Sequence, residues 1–539
     1  MHLLPSFLAL LASSTLLASA TPRYSDLRQR VDASHIPIAA NQTITNQTTC
    51  DKEQYTYQEL AGYGFVASNA TDKYGDTLGG YGSAIAIDRS SWKKLKNGSY
   101  TGLLWAIPDR GWNTEGTLNY QNRVHKFAIT LTPKPNATLA NPSGPNLQFT
   151  YEDTILFTGP DGTPTTGLDA DVLGSITYPG FPILPVATFT GDGFGGPGPG
   201  GRHIPIDSEG LALASDGGFW VSDEYGPYIY HFSAQGRMTQ AIMPPAAYIP
   251  HRNGSISFSA DSPPIYNINE TIIPANTVTG RDNNQGLEGL TISSDGKTLY
   301  ALMQSALDQE GGPSNPYRLQ ARLLEYDISN SSNPEYKAEY VVTLPLYTDP
   351  TAKASKATKV AAQSEIHSLG NDQFLVLARD SGAGHGQSSS LSVYRHADIF
   401  DISSSGEATD IESAANDATN GSIASSTGVL DAGIKAAEYC TFLDYNVNAQ
   451  LGRFGLHNGG AQDATLLNEK WESLATVPVD GKDGQDGEWF LFSLSDNDFI
   501  TQDGHLNFGK YAYKDASGYD LDNQALVFQI QVPKNASPS

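Results

Sequence analysis

The feature that most constrains the fold of this chain is an internal repeat of paired strands. Each copy has a short apolar strand that begins with a Glu, a turn that carries an Asp, and a second strand that ends on polar residues. The three clear copies are SEGLALASDGGFWVSDEY (208–225), LEGLTISSDGKTLYALMQS (287–305) and SEIHSLGNDQFLVLARDS (364–381). Recurring strand pairs of this kind predict an all-β chain built from similar sheets.

Two looser copies extend the repeat toward both ends of the chain. One is WESLATVPVDGKDGQDGEWFLFSLSDND (471–498), and the other, 79–113, lacks the initial Glu. The copies lie farther apart than the ~40–45 residues of a compact propeller blade, which leaves room for four strands and long loops. Four-stranded sheets repeated around a ring make a β-propeller. We predict six blades, with the sixth in the interval 113–205 or in 425–465; five or seven blades are the alternatives.

The intervals between the strand pairs favour loops more than helices. The best helix candidates are short, around 352–362 and 410–418. The Gly/Pro-rich run GDGFGGPGPGGR (191–202) cannot form a regular element. It is either a linker between domains or a loop over the mouth of the ring.

The N-terminus and the cysteines predict a secreted protein. Residues 1–20 have the apolar run and small-residue exit of a signal peptide. We expect 21–50 to form an extended, glycosylated segment and 51–535 to form the propeller domain. Ten Asn-X-Ser/Thr sites also fit secretion. Cys50 and Cys440 predict one disulfide in an oxidising compartment, with two buried free thiols as the alternative.

The charge of the chain argues against several classes of partner. With 33 Lys and Arg against 58 Asp and Glu, the net charge is −25, which opposes binding to nucleic acid or to anionic membranes. No segment after the signal is apolar enough to cross a bilayer. We therefore expect an extracellular monomer that acts on a small molecule, without nucleic acid, membrane or organic cofactor.

The Glu residues that begin the repeats form the main candidate site. In a ring, four of them converge near the axis: Glu209, Glu288, Glu365 and Glu472. Carboxylates held close together share protons or bind a hard cation such as calcium, which takes six to eight oxygen ligands. The predicted calcium ligands are Glu209, Glu288, Glu365 and Asp223. The alternative is that each Glu accepts hydrogen bonds from backbone amides of the neighbouring blade.

Cationic side chains lie next to the same segments. Arginine can grip a carboxylate or phosphate through two parallel hydrogen bonds. The predicted catalytic residues are Glu209, Glu224, Glu288, Arg110 and Arg379. The residues predicted to bind substrate are Arg202, Arg281 and His203. The alternatives are that the arginines neutralise buried glutamates and that the histidine is a solvated loop residue.

Two repeat segments resemble signatures of the phytase-like family. They are DSEGLALASDGGFWVSDEYGPYIYHF and NNQGLEGLTISSDGKTLYALMQSAL, and the resemblance extends from about Gly80 to Val532. It implies a propeller-type fold, a secreted or periplasmic protein, and hydrolysis of phosphate or other esters. The sequence has no G-x-S-x-G elbow, H-E-x-x-H zinc motif or P-loop, which argues against those mechanisms.

These observations support two functional hypotheses. The first is a secreted, metal-assisted ester hydrolase, with calcium on the channel carboxylates and Arg110 or Arg379 stabilising charge on a phosphoryl group. The second is a non-catalytic propeller that binds a carbohydrate, peptide or cell-wall ligand through its tyrosine-rich loops.

Overall fold

The computed structural model describes residues 45–112, 115–403 and 408–539. The predicted signal segment and most of the segment 21–50 lie outside these residues. The described strands, in chain order, are β1 (Asn46–Cys50), β2 (Glu53–Val66), β3 (Ala84–Lys94), β4 (Tyr100–Ile107), β5 (Arg123–Leu131), β6 (Leu147–Leu156), β7 (Thr165–Thr166), β8 (Ala187–Phe189), β9 (Gly201–Pro205), β10 (Ser208–Leu213), β11 (Phe219–Asp223), β12 (Ile229–Phe232), β13 (Met238–Ile242), β14 (His251–Arg252), β15 (Ser255–Ile256), β16 (Leu287–Ile292), β17 (Thr298–Met303), β18 (Gln320–Asp327), β19 (Glu335–Thr343), β20 (Leu346–Thr348), β21 (Thr358–Val360), β22 (Ala362–Gly370), β23 (Gln373–Arg379), β24 (Arg395–Asp401), β25 (Glu438–Asp444), β26 (Lys470–Trp471), β27 (Ala475–Pro478), β28 (Glu488–Asp496), β29 (Gly504–Leu506), β30 (Tyr511–Tyr513) and β31 (Asn523–Gln531).

Helix is scarce in the part of the chain that the structure describes. It comprises α1 (Asn448–Leu451) and the 3-10 turns Ala246–Tyr248, Ile265–Asn267, Asp308–Glu310, Ala354–Lys356 and Gly452–Phe454. None of the described helices is long or apolar enough to span a membrane. The predicted nearly all-β character is therefore confirmed.

Five sheets of four or more strands dominate the described residues. Sheets 1 to 4 are β3–β6, β10–β13, β16–β19 and β22–β25, and in each the strand order follows the chain. Sheet 5 has the order β1-β2-β31-β28, and both β26 and β27 pair with β28. Strands from both ends of the described chain thus share one sheet.

The predicted strand–turn–strand units are confirmed in sheets 2, 3 and 4. In sheet 2 the turn between β10 and β11 has Gly217 at a φ of 84°, a left-handed conformation that favours glycine. Asp216 Oδ1 accepts a hydrogen bond from the Gly218 amide at 2.9 Å and stabilises this turn.

Each of the five sheets packs against the next, and sheet 5 packs against sheet 1. Apolar clusters fill all five interfaces. Between sheets 1 and 2, Phe157 stacks on Phe232 with ring centroids 4.1 Å apart. Between sheets 5 and 1, Trp92 meets Phe492 edge-on with centroids 5.8 Å apart. The strands β3, β10, β16, β22 and β27, one from each sheet, line a shared cavity.

The predicted sixth blade is not confirmed among the described residues. The interval 115–205 contains β5, β6 and the small sheet of β7, β9 and β8, and the interval 425–465 contains β25, α1 and a 3-10 turn. The Gly/Pro-rich run lies in the loop between β8 and β9 as far as Gly200, and its last two residues, Gly201 and Arg202, begin β9, contrary to the prediction. It is not a linker between domains, because 43–539 form one compact unit.

The two helix candidates are wrong. Residues 352–362 contain one 3-10 turn and β21, and 410–418 are not helical. Asp410 shows the physical reason, since its Oδ1 accepts hydrogen bonds from the amides of Glu339 at 3.1 Å and Glu412 at 3.0 Å. Short segments rich in such side chains lose backbone groups to local bonds and cannot nucleate a helix.

The predicted disulfide between Cys50 and Cys440 is confirmed, with the two Cα atoms 5.9 Å apart. It joins β1 of sheet 5 to β25 of sheet 4 across a sequence separation of 390 residues. A link over so long a loop removes many conformations from the unfolded chain and stabilises the contact between these two sheets.

A histidine on β24 makes the stability of sheet 4 depend on pH. His396 Nδ1 lies 3.3 Å from Asp398 Oδ1, and Nε2 lies 3.7 Å from Asp444 Oδ1. Burial opposes protonation of the imidazole, but the two carboxylates outweigh it and raise the pKa of His396 to about 9. Because this value exceeds the unfolded pKa of ~6.5, the stabilisation is complete below pH ~6.5 and is lost as the pH rises through about 9.

We therefore expect the free energy of unfolding to fall more between pH 6 and pH 9.5 in the wild-type protein than in His396→Gln. The difference should be on the order of 2 kcal/mol. Urea unfolding of both proteins at the two pH values measures it. Equal losses in the two proteins would contradict the ion pairs seen here.

Candidate functional site

One end of the inner strands carries a group of buried carboxylates. Glu209 and Glu288 lie at the starts of β10 and β16, and Glu224 follows the end of β11. Asp207 precedes β10. We call Asp207, Glu209, Glu224 and Glu288 the acidic cluster. All four are at least nine-tenths buried.

The carboxylates of the acidic cluster lie close together. Asp207, Glu209 and Glu224 each offer an oxygen atom within 4.8 Å of the others. Glu209 Oε2 accepts a hydrogen bond from Ser83 Oγ at 2.7 Å, and Glu224 Oε1 accepts one from the Gly286 amide at 3.2 Å. The second oxygens, Glu224 Oε2 and Glu288 Oε2, are buried and have no hydrogen-bond partner within the described chain.

Burial and mutual repulsion raise the pKa values throughout the cluster. Burial, then the charge of Glu288, raises the pKa of Glu209 well above its usual value. Burial and the charge of Asp207 raise the pKa of Glu224 to about 7. Four carboxyl groups in so small a volume require either protons or a bound cation.

Arginines flank the cluster on two sides. Arg110 Nη1 lies 3.4 Å from Asp207 Oδ2, and the Arg110 amide donates to Asp207 Oδ1 at 3.1 Å. Arg379 Nη2 donates to Glu472 Oε1. Both predicted catalytic arginines are therefore near the cluster, although each already contacts a carboxylate.

Lys470 lies within a second group of carboxylates. Its Nζ lies 2.8 Å from Asp498 Oδ1, 3.6 Å from Glu472 Oε2 and 3.8 Å from Asp109 Oδ2. Asp109 and Asp498 offer oxygen atoms within 4.8 Å of each other and of Asp496. A lysine ammonium thus occupies the position that a cation would take in this second group.

Two predicted metal ligands lie outside the acidic cluster and make structural bonds. Glu365 Oε1 accepts hydrogen bonds from the amides of Leu290 at 2.9 Å and Ile366 at 2.8 Å. Asp223 accepts hydrogen bonds from three backbone amides, Asp207, Tyr225 and Gly226, and from the hydroxyl of Tyr230. For Glu365 this is the strand-capping role that the sequence left open as the alternative.

The predicted substrate-binding residues make their hydrogen bonds to groups outside the acidic cluster. Arg281 is fully buried and donates to the carbonyls of Tyr225, Phe258 and Ser259. Arg202 Nη2 donates to the Ser175 carbonyl at 3.5 Å. His203 and Asn119 line a second cavity, which is smaller than the cavity shared by the five sheets. Asn119 Oδ1 lies 3.1 Å from His203 Nδ1.

Sequence reasoning missed two residues of the mouth, Asp207 and Lys470. Each stands two positions before a repeat Glu, Asp207 before Glu209 and Lys470 before Glu472. Neither pair lies on one regular strand, because Asp207 precedes β10, whose register shifts between Ser208 and Gly210, and Glu472 follows the end of β26. Strand alternation in the repeat therefore could not have placed these side chains.

The other end of the inner strands has a different character. The shared cavity, of about 270 Å³, is lined on β10 and β16 by residues beyond the Glu-bearing starts of these strands, Leu211–Leu213 and Leu290–Ser294, and also by Ser539. The Ser537 and Ser539 amides donate to the carbonyls of Leu369 at 2.8 Å and Ser368 at 3.0 Å. The chain's own last residues therefore lie across this end, and the acidic cluster lies at the opposite end.

The donor set of the acidic cluster fits a hard cation. It is composed of oxygen atoms, it is strongly negative when ionised, and two of its buried oxygens lack a partner among the described residues. Calcium takes such oxygen ligands in variable geometry, so the residues present fit it.

Comparison with known proteins identifies the family. The phytase-like family, described as having the esterase-like activity of phytase, matches residues 78–499. The chain belongs to the phytase-like family. The match includes Asp207, Glu209, Glu224 and Glu288, so the acidic cluster lies within the family region.

Other proteins resemble this phytase-like chain to different degrees. A relative from Arthroderma benhamiae, described as an uncharacterized secreted protein, is 61% identical over 466 residues, which cover 86% of this chain and 90% of the relative. Its description confirms the predicted location outside the cell. Among solved structures, a luciferin-regenerating enzyme is 11% identical, with coverage of 88% of this chain and 97% of that one and a TM-score of 0.26. A PQQ-bound aldose sugar dehydrogenase from Streptomyces coelicolor is 10% identical, with coverage of 90% and 100% and a TM-score of 0.26. Likenesses this weak carry no argument.

Proposed function

We propose that this secreted phytase-like protein is a five-bladed propeller that hydrolyses esters, including phosphomonoesters, at the acidic mouth with the help of calcium. The observation that carries the proposal is the pair of buried, unpartnered oxygens on Glu224 and Glu288 beside Glu209 and Asp207. Leaving such oxygens without a partner is costly in an interior, and a cation would satisfy them together.

The residues of the mouth would have different roles in hydrolysis. Asp207, Glu209, Glu224 and Glu288 would hold calcium, which supplies a Lewis acid that polarises the ester and activates water. Ser83 holds Glu209 in place through its 2.7 Å hydrogen bond. Arg110 and Arg379 are positioned to stabilise negative charge that develops on the substrate in the transition state. Their positive charges, which are already counted in the net charge of −25, make the potential less negative where an anionic substrate would bind.

Hydrolysis assays test this proposal directly. We expect the secreted protein to hydrolyse phytate or a neutral aryl ester with calcium present, to lose that activity in the presence of a chelator, and to regain it when calcium is restored. If neither substrate is hydrolysed with calcium present, the proposal of an ester hydrolase is wrong, and a non-catalytic binding propeller is favoured. Turnover that resists the chelator would contradict the role of the metal.

A further inference from the structure

We propose that Lys470 and Arg379 form an anion subsite beside the acidic cluster, which binds a doubly charged oxyanion such as the phosphate group of a substrate. The inference rests on the proposed function for its place in a reaction, but the binding it predicts can be measured without turnover. Lys470 has no role in the sequence-based prediction.

The first argument is that Lys470 is held in place with donors to spare. It lies on β26, directly opposite Asp496 of β28 in the register of the two strands. Its Nζ donates a hydrogen bond to Asp498 Oδ1 at 2.8 Å and forms longer ion pairs with Glu472 Oε2 at 3.6 Å and Asp109 Oδ2 at 3.8 Å, so two of its three N–H donors make no hydrogen bond among the described residues. The side chain is 22% exposed, so an incoming anion can reach it from the mouth.

The second argument is the pairing of two cations on one carboxylate. Arg379 Nη2 donates to Glu472 Oε1, while Lys470 Nζ lies 3.6 Å from Glu472 Oε2. Glu472 is 2% exposed and fixes both positive groups side by side. Arg379 Nε has no hydrogen-bond partner among the described residues, so both cations keep donors for a shared anion.

The third argument comes from opposite charges that are near each other and yet unpaired. Arg379 ends β23 opposite the first residue of β22, and Glu288 lies at the start of β16, the inner strand of the neighbouring sheet. Nevertheless, Glu288 Oε2 accepts no hydrogen bond within the described chain. A cation beside Glu288 and an oxyanion beside Arg379 and Lys470 would satisfy both sets of groups, and the two bound ions would attract each other.

Titration with inorganic phosphate, with calcium present, tests the subsite. We expect Lys470→Met to weaken phosphate binding at least 10-fold and not to weaken calcium binding, because the lysine ammonium holds the place of a cation among Asp109, Asp496 and Asp498. Lys470→Arg should keep most of the phosphate affinity. Lys297→Met, at a lysine whose side chain is 63% exposed, is the matched control and should bind phosphate like wild type. Unchanged phosphate affinity in Lys470→Met would overturn the proposal.

Amine labelling of the wild-type protein provides a test that does not depend on how a variant folds. Phosphate should slow modification of Lys470 several-fold and leave Lys297 unaffected. Equal protection by sulfate supports a subsite for doubly charged oxyanions. Equal protection by chloride at matched ionic strength would indicate screening alone and would overturn the proposal.

The two proposals fail in different ways. If the protein does not turn over esters but Lys470 still controls phosphate binding, the hydrolase is wrong and the subsite stands. If esters are hydrolysed with calcium and Lys470→Met binds phosphate normally, the subsite is wrong and the hydrolase stands.

Discussion

Glu288→Gln is expected to weaken calcium binding by roughly 100-fold, because a buried ligand loses its charge. Ester hydrolysis should fall in parallel. The calcium-free protein should be at least as stable as wild type, since burial and the charges of Glu224 and Glu472 raise the pKa of Glu288 well above its usual value. Glutamine keeps the shape of the side chain and removes the cost of burying a carboxylate near two others. Calcium titration and thermal unfolding with and without calcium measure the two effects.

Glu365→Gln is the matched control. Glu365 has the same place in the repeat and is equally buried, but its Oε1 accepts hydrogen bonds from two backbone amides, a role that a glutamine oxygen can keep. We expect calcium binding and turnover close to those of wild type. Normal calcium binding by Glu288→Gln would show that the metal assignment is wrong, even if the protein hydrolyses esters.

The repeat allowed much of this architecture to be predicted. Five copies are visible in the sequence, and the described residues form five main sheets whose inner strands are the copies. The sixth blade was inferred only from the length of two intervals. Length is a weak guide there, because long surface loops are tolerated at little thermodynamic cost. The strand β2, which completes sheet 5, lies before the first copy and carries no repeat signature.

The side chains of the mouth were only partly predictable, for two physical reasons. Each inner strand has one edge without a partner strand, and its amides need acceptors. Glu365 accepts a hydrogen bond from the Leu290 amide in this way, whereas Glu288 Oε2 has no such bond among the described residues. The repeat pattern is the same for both residues, so it could not tell them apart. Second, residues that pair across sheets, such as Arg379 with Glu472, are distant in sequence, and only the closed packing brings them together.

Arg322→Met is expected to lower the free energy of unfolding by about 3–5 kcal/mol, the usual cost of breaking a buried ion pair. Arg322 Nε donates to Glu310 Oε1 at 3.1 Å, and Nη1 donates to Glu339 Oε1 at 2.9 Å. The side chains of all three residues are fully buried. Methionine fills a similar volume, but it leaves two carboxylates in the interior without their cation. Urea unfolding at neutral pH measures the loss.

Lys337→Met on β19 separates this effect from the general loss of a positive charge. Lys337 Nζ lies 2.7 Å from Glu335 Oε2, but both side chains are largely exposed, so water and salt screen the pair and its removal should leave unfolding unchanged. Glu310 Oε1 also accepts the amide of Ile423 at 2.9 Å, which ties the β24–β25 connection to sheet 3. Arg322→Met should therefore also speed proteolysis within 408–437. If Arg322→Met and Lys337→Met unfold alike, the buried ion pairs contribute nothing to stability, and the connection must be held by its apolar contacts alone.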